Sequence, residues 1–215
     1  MEAFGFGLTA IDPVKLSISL KFGIILRINV KFKIQQDTSN FEIGMIVLVQ
    51  DKIKRSIQAA KGLYHRLVLL VGESGSGKTN VLRDIAEELG APVINVNLAL
   101  SGELLELTTK QRSLRLPGIL NQVADQIQSP IVLDNLEILF DKDLQQDPLR
   151  LLQSISRNRT LVASWNGSIS SGRLLYAEPG HLEYRSYDTV DALIVSMDGT
   201  ATVDVAKNDK EAGLA

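Results

Sequence analysis

The sequence predicts an α/β fold in which a mainly parallel β-sheet lies between two layers of helices. Three observations favour this fold. Uninterrupted apolar runs at residues 67–71 and 131–133 suit parallel strands that are buried on both faces. Segments with apolar residues at three- and four-residue steps alternate with these runs. A glycine-rich turn at residues 72–77 joins the first run to the helical segment after it.

Composition restricts the classes of protein to consider. The chain has 215 residues, 45% of them hydrophobic, which is enough for one sizeable core. The net charge of −2 does not indicate direct nucleic-acid binding, and the lack of cysteine excludes disulfides and thiolate metal sites. No uncharged apolar run is long enough for a membrane helix, and the N-terminus lacks a basic signal-peptide region. We therefore expect a cytoplasmic protein with no membrane partner.

The N-terminal segment has a pattern of its own. Every even position from Leu16 to Ile34 is apolar, and the odd positions are mostly polar, which is typical of a β-strand with one wet face. A single strand of that length would exceed the usual limit of about 10 residues. Two interpretations stay open. The segment forms a hairpin that bends near Gly23, or residues 1–44 are an extension outside the working domain.

From Met45 the elements follow in order. A helix runs to about Gly62, the first buried strand covers residues 67–71, and a second helix runs from about Lys78 to Leu89. A second strand at 93–97 is followed by a helical stretch near 104–107, a basic link at 110–115 and a helix after Pro117.

The second half of the domain contains a third strand at 131–134 and a helix that Asp147 caps. A fourth strand covers 160–164, and short strands cover 181–187 and 192–197. We predict three regions: residues 1–44 as an uncertain β-like extension, 45–197 as the domain, and 198–215 as a flexible tail.

The glycine-rich turn has the pattern Gly-x-x-x-x-Gly-Lys-Thr between a strand and a helix, which is the P-loop of nucleotide-binding proteins. Its backbone amides and the helix N-terminus attract phosphate, its lysine reaches the β- and γ-phosphates, and its threonine binds Mg²⁺. The pattern predicts ATP and Mg²⁺ as ligands. The nucleotide-binding residues are expected to be Gly72, Glu73, Ser74, Gly75, Ser76, Gly77, Lys78, Thr79 and Asn80.

Acidic and amide side chains follow the other strands. Asp134 ends the third strand, so we expect it to hold Mg²⁺ together with Thr79. The next residue is Asn135, where related ATPases usually carry a glutamate base, and an amide cannot accept a proton at neutral pH. Glu137 could replace that base only if the chain turns it toward the phosphate. Asn166, after the fourth strand, is expected to act as the polar sensor beside the γ-phosphate.

These motifs predict a three-layer P-loop NTPase sandwich of the ASCE/AAA-like type with strand order 5-1-4-3-2. The chain lacks the Asn-Lys-x-Asp pattern that reads guanine, which favours ATP over GTP. An arginine supplied in trans could complete the site. The candidates are Arg112, Arg115, Arg157, Arg159 and Arg173, and the sequence does not choose among them.

Several of these stretches, read together, resemble one family. Residues 63–72 run into the P-loop, residues 131–135 and 165–167 follow, and Pro179-Gly180-His181-Leu182-Glu183-Tyr184-Arg185 comes near the end. They resemble the BrxF family, the small P-loop proteins of type III BREX phage-defence systems. The resemblance covers roughly residues 45–197. It implies bacterial defence against phage together with other BREX proteins, which composition and spacing alone do not indicate.

Three functions remain possible from the sequence. The chain is an ATPase or ATP switch of low intrinsic activity in a multi-protein defence system. Alternatively it is a nucleotide-dependent, AAA-like loader that handles DNA, or a scaffold that binds ATP without hydrolysing it. Asn135 favours slow turnover, and the weak net charge disfavours DNA handling. Other defence proteins and a second copy of the chain are the expected partners.

Overall fold

The computed structural model describes residues 8–10, 16–18, 44–128, 130–199 and 203–204. The chain divides into two compact units, Met1–Gly44 and Met45–Ala215. In the first unit, β1 (Leu8–Ala10) pairs antiparallel with β2 (Leu16–Ile18). The rest of the period-two segment, including Gly23, lies outside the described residues, so its two interpretations stay open.

The second unit alternates strands and helices. Helix α1 covers residues 44–60. It is followed by β3 (Leu67–Gly72), α2 (Lys78–Leu89), β4 (Val93–Asn95), α3 (Val96–Leu105), α4 (Thr109–Asp125) and β5 (Ile131–Asp134). Two 3₁₀ helices, Glu137–Phe140 and Lys142–Leu144, precede α5 (Pro148–Ile155), β6 (Leu161–Ser170), β7 (Arg173–Tyr176), β8 (Arg185–Tyr187), β9 (Leu193–Ser196) and β10 (Val203–Asp204).

The central sheet is parallel across β9, β3, β6, β5 and β4, in that order. Numbered from the P-loop strand β3, this is the order 5-1-4-3-2, so the predicted topology is confirmed. Strand β10 extends the sheet antiparallel to β9. In a parallel sheet all carboxyl ends lie at one edge, which is where a ligand site forms. The ends of β3 and β5 therefore lie at the same edge as Asn166 of β6, which pairs with Gly72 at the end of β3.

The sheet separates two hydrophobic cores. Leu67, Leu69 and Val71 of β3 belong to the core shared with α3, α4 and α5. Val68 and Leu70 alternate with them and face the core shared with α1 and α2. A strand that buries both faces must be apolar at every position, which explains the uninterrupted run. The fold is thus the three-layer α/β P-loop NTPase sandwich that the sequence predicted.

Helix α4 corrects one sequence prediction. The expected basic link at 110–115 lies inside α4, because Thr108 and Gln111 form a capping box that starts the helix before it. Pro117 lies within the helix and cannot donate a hydrogen bond to the carbonyl of Ser113. The side chain of Gln146 donates to that carbonyl instead, at 2.9 Å. A tertiary contact thus offsets the usual helix-breaking effect of proline.

Three strand boundaries also differ from the predictions. The second predicted strand ends at Asn95, which caps α3 by accepting a hydrogen bond from the amide of Leu98. The fourth does not end near Asn166, since β6 continues to Ser170 and forms an antiparallel hairpin with β7, which pairs in turn with β8. The predicted strand at 181–187 reduces to β8. In the tail, β10 pairs with β9 where fraying was expected, and the residues after it lie outside those described.

No helix in the described part of the chain is long and apolar enough to cross a membrane.

Candidate nucleotide-binding site

The P-loop connects β3 to α2 in a conformation that requires glycine. Gly77, the N-cap of α2, has a φ of 88°, in the left-handed region where other residues are strained. Its carbonyl accepts hydrogen bonds from the amides of Asn80 and Val81, which start the helix. The free amides of the first helical turn are thus directed at the space above the loop, where a phosphate group would find hydrogen-bond donors and the positive end of the helix dipole.

Lys78 is the first residue of α2 and lines this space. Its Nζ donates hydrogen bonds to the carbonyl oxygens of Gly72 and Glu73, at 2.8 and 2.7 Å. The residue is only 6% exposed, and burial lowers the pKa of its ammonium, while Asp134 and Glu137 act in the opposite direction. A buried cation held by neutral carbonyls is a strong site for anionic phosphate oxygens.

The residues that the sequence selected at separate positions line one polar pocket of about 250 Å³. The lining residues are Ser74, Gly75, Ser76, Gly77, Lys78, Thr79, Asn80, Asp134, Asn135, Glu137 and Asn166. The carbonyls of Gly72 and Glu73 accept hydrogen bonds from Lys78. The donor set fits a nucleoside triphosphate with Mg²⁺, since it combines a lysine and helix amides for phosphate with a hydroxyl and a carboxylate for the metal.

Asp134 and Thr79 are the candidate Mg²⁺ ligands. Asp134 is the last residue of β5 and is 5% exposed, beside β4. Within the described residues no group of three or more His, Cys, Asp or Glu side chains could hold a metal ion by itself. That is the usual situation for Mg²⁺, which binds through one or two protein oxygens, water and substrate phosphates.

The chain leaves β5 after Asp134 and enters a short 3₁₀ helix. Asn135 has a φ of 56°, in the left-handed region, and Glu137 begins the 3₁₀ helix Glu137–Phe140. Asparagine tolerates this conformation better than glutamate because its short side chain bonds locally. The turn brings Glu137 to the pocket. The condition under which Glu137 could replace the missing glutamate is therefore met in the geometry, and its role as a base stays a prediction.

Two amides hold the carboxylate of Glu137. Asn166 donates to Oε1, and Asn97 donates to Oε2 at 2.8 Å. The side-chain oxygen of Asn97 also accepts a hydrogen bond from the backbone amide of Ile138 at 2.8 Å. The backbone amide of Asn97 donates to the carbonyl of Asn135 at 3.1 Å. Asn97 thus bonds to the backbone on both sides of the turn, at Asn135 and at Ile138.

Sequence reasoning missed Asn97 because it assigned the residue to the end of the second strand. The available signal was its position. A polar residue just past the carboxyl end of a strand adjacent to β5 lies at the same sheet edge as Asp134.

No arginine lies among the residues that line this pocket in the described part of the chain. Arg112 donates to the carbonyl of Leu104, and Arg159 pairs with Asp125 at 2.5 Å. Arg157 lies over the ring of Tyr64, before the amino end of β3. Arg173 is half exposed, on the hairpin near Asp188. All four are engaged in contacts of this chain, Arg173 through an exposed ion pair with Asp188 at 3.8 Å, which makes them weaker candidates for an arginine that acts in trans.

Residues 68–162 match the family model of AAA, the ATPase family associated with various cellular activities. This AAA-like region runs from β3 into β6 and includes the P-loop, Asp134 and Glu137. The match supports an ATP-binding P-loop domain of the ATPase type. Asn166 and the hairpin after it lie beyond the matched region. Comparison with curated proteins gives no match.

Proposed function

We propose that this protein is a slow ATPase or ATP switch. The observation that carries the proposal is the carboxylate of Glu137, held by Asn97 and Asn166 in the same pocket as Lys78. Binding alone needs the P-loop and the metal ligands. A carboxylate fixed by two amides beside the phosphate position suits a general base that orients and deprotonates water.

Each residue has a distinct part in the proposed reaction. Lys78 and the P-loop amides would hold the β- and γ-phosphates, and Thr79 and Asp134 would hold Mg²⁺, whose charge would stabilise the charge on the phosphates. Glu137 accepts a proton from the water whose oxygen bonds to the γ-phosphorus, while the bond from that phosphorus to the bridging oxygen breaks and ADP leaves. Asn166 fixes the carboxylate and reaches the pocket from the neighbouring strand, which suits a sensor of the γ-phosphate.

Two features support a slow rate. Both oxygens of Glu137 already accept hydrogen bonds, so proton transfer must compete with these contacts. No arginine of the described residues lines the pocket, and such an arginine is worth about 10³–10⁵-fold in related phosphoryl-transfer enzymes. We therefore propose that a partner protein or a second copy of the chain raises the rate.

The test is ATP turnover by the full-length protein, with Glu137→Gln as the decisive variant. We expect a slow wild-type rate, below the usual range of about 1–10³ per second, and a further drop of about 10²-fold or more in Glu137→Gln. Glu103→Gln, on the exposed side of α3, is the matched control. An unchanged rate in Glu137→Gln would exclude Glu137 as the base. Binding without turnover would favour the scaffold, and stimulation by duplex DNA would favour the loader.

The cellular role is a separate proposal. On the strength of the resemblance to the BrxF family, we propose that the protein works in the cytoplasm with other proteins of a type III BREX phage-defence system. Plating phage on cells that carry the whole system tests this. Lys78→Ala should abolish protection, and Lys61→Ala, an exposed lysine after α1, should leave it intact. Equal protection by both variants would contradict a role for ATP.

A further inference from the structure

An antiparallel hairpin leaves the parallel sheet next to Asn166. Strand β6 pairs with β3 as far as Asn166, and from Gly167 onward it pairs with β7 instead. Gly167 lies opposite Tyr176, and a β-carbon at Gly167 would come within 1.9 Å of the carbonyl oxygen of Leu175. Only glycine permits this approach. The hairpin is thus held tightly against the residue that contacts Glu137.

An aromatic cluster joins the hairpin to the turn that carries Glu137. The ring of Phe140 stacks on the ring of Tyr176, with centroids 3.3 Å apart and planes at 4°. Trp165 meets Phe140 edge to face at 5.1 Å, and its Nε1 donates to the carbonyl of Leu175 at 2.9 Å. Phe140, Trp165 and Tyr176 are all buried. Such a cluster holds its members in one relative arrangement.

Two elements that position the Glu137 carboxylate contact this cluster: the 3₁₀ helix that begins with Glu137 and the segment that carries Asn166. Phe140 is the last residue of the 3₁₀ helix that begins with Glu137, so the stack fixes the far end of that short helix. Trp165 precedes Asn166, whose amide holds Oε1 of Glu137. Tyr176 contacts Phe140 and lies 6.1 Å, centroid to centroid, from Trp165. Tyr176 thus contacts both Phe140, at the end of the 3₁₀ helix, and Trp165, the residue before Asn166.

The electrostatics of Tyr176 agree with this geometry. Burial raises the pKa of its phenol to about 12, and the charges of Glu183 and Glu137 act in the same direction. The phenol is neutral at physiological pH at either its ordinary or its raised pKa, so Tyr176 adds no charge near the carboxylate of Glu137.

We propose that Tyr176 is a positioning residue for ATP hydrolysis. Through Phe140 and Trp165 it fixes the orientation of Glu137, and it thereby ties the hairpin outside the AAA-like region to the reacting centre. This proposal rests on the proposed function, because Tyr176 acts only through Glu137. It assigns Tyr176 no contact with substrate.

The test measures kcat, KM and ATP affinity in the full-length protein. Tyr176→Ala should lower kcat about tenfold, part of the 10²–10⁴-fold that a general base contributes, and should leave the Kd for ATP within about twofold. Tyr176→Phe keeps the stacked ring and should therefore have the wild-type kcat. Tyr64→Ala, an exposed tyrosine before the amino end of β3, is the matched control and should behave as wild type.

A double-mutant cycle separates positioning from general damage. If Tyr176 acts through Glu137, Tyr176→Ala should cause no further loss of single-turnover rate in the Glu137→Gln background. An equal loss in both backgrounds, or weaker ATP binding that parallels the loss, would overturn the inference and leave the proposed function standing. A Glu137→Gln variant with the wild-type rate would overturn both.

A cavity-forming substitution of a buried ring can prevent folding, so two further variants keep the test decisive. Tyr176→Leu and Phe140→Leu retain apolar volume and remove the stack. Both should lower kcat and spare ATP affinity. If both fold, as judged by thermal melting, and keep the wild-type kcat, the inference is wrong.

Discussion

The side-chain amide of Asn166 donates a hydrogen bond to Oε1 of Glu137, 29 residues earlier in the chain. The contact joins the segment after β5 to the point at which β6, its neighbour in the sheet, leaves the parallel pairing. Because parallel strands end at one edge, a carboxylate and an amide far apart in sequence meet in the pocket beside the P-loop. The candidate hydrolytic centre is thus a consequence of strand order as much as of any single motif.

The first prediction concerns Lys78. Its ammonium is buried and is directed at the loop, so Lys78→Ala removes the cation that faces the phosphates. Charged hydrogen bonds contribute about 1.5–3 kcal/mol each, so the Kd for ATP should rise at least about tenfold. Isothermal titration calorimetry measures this, with Lys61→Ala as the control. Unchanged affinity in Lys78→Ala would show that ATP does not bind at this loop.

The fold could be predicted well from the sequence, because its signals are local. The apolar run of β3, the glycine pattern of the P-loop and the Asp147–Pro148 start of α5 each reflect burial or backbone chemistry within a few residues. The continuous helix α4 could not be predicted that way. Its proline is tolerated because Gln146, distant in sequence, bonds to the freed carbonyl of Ser113.

The candidate site shows the same difference between local signals and contacts of residues distant in sequence. Asp134 and Asn166 could be selected because polar residues at the ends of buried apolar runs are visible in the sequence. The contact between Asn97 and Glu137 depends on the positive φ of Asn135 and on the pairing of β4 with β5. The predicted strand order contained the pairing, but neither the positive φ of Asn135 nor the start of α3 at Val96 was expected from the sequence, so Asn97 was missed and Glu137 was left as a conditional candidate.

The second prediction concerns Asn97. Its side chain accepts from Ile138 and donates to Glu137, so Asn97→Ala leaves the turn and the carboxylate without these contacts. We expect kcat for ATP to fall at least about tenfold, with affinity little changed. Asn121→Ala is the control, since Asn121 bonds only to the carbonyl of Pro117 among its described contacts. Loss of ATP affinity in Asn97→Ala with unchanged kcat would contradict a role in holding the base.

The third prediction separates the conformational role of Asn135 from a chemical one. With a φ of 56°, position 135 accepts glycine without strain, whereas a β-branched residue costs roughly 1–2 kcal/mol or more. Asn135→Gly should keep the melting temperature and most of the ATPase rate, and Asn135→Val should lower both. If Asn135→Gly melts as wild type but loses turnover, the amide of Asn135 itself takes part in the reaction. Asn135→Glu combines a strained residue with a second carboxylate, and we expect it to be faster only if the turn survives.

The fourth prediction concerns the first 44 residues. Met45–Ala215 is a compact unit that contains every residue of the pocket, so a protein that begins at Met45 should fold and bind ATP as tightly as the full chain. Thermal melting and calorimetry measure both properties.

A protein that begins at Leu63 is the control. It lacks α1, whose Val49 and Ile53 are fully buried against the sheet, and burying each such side chain stabilises the fold by about 1.5–3 kcal/mol. It should therefore unfold or aggregate. If the protein that begins at Met45 fails in the same way, residues 1–44 belong to the working fold, and their interpretation as an extension is wrong.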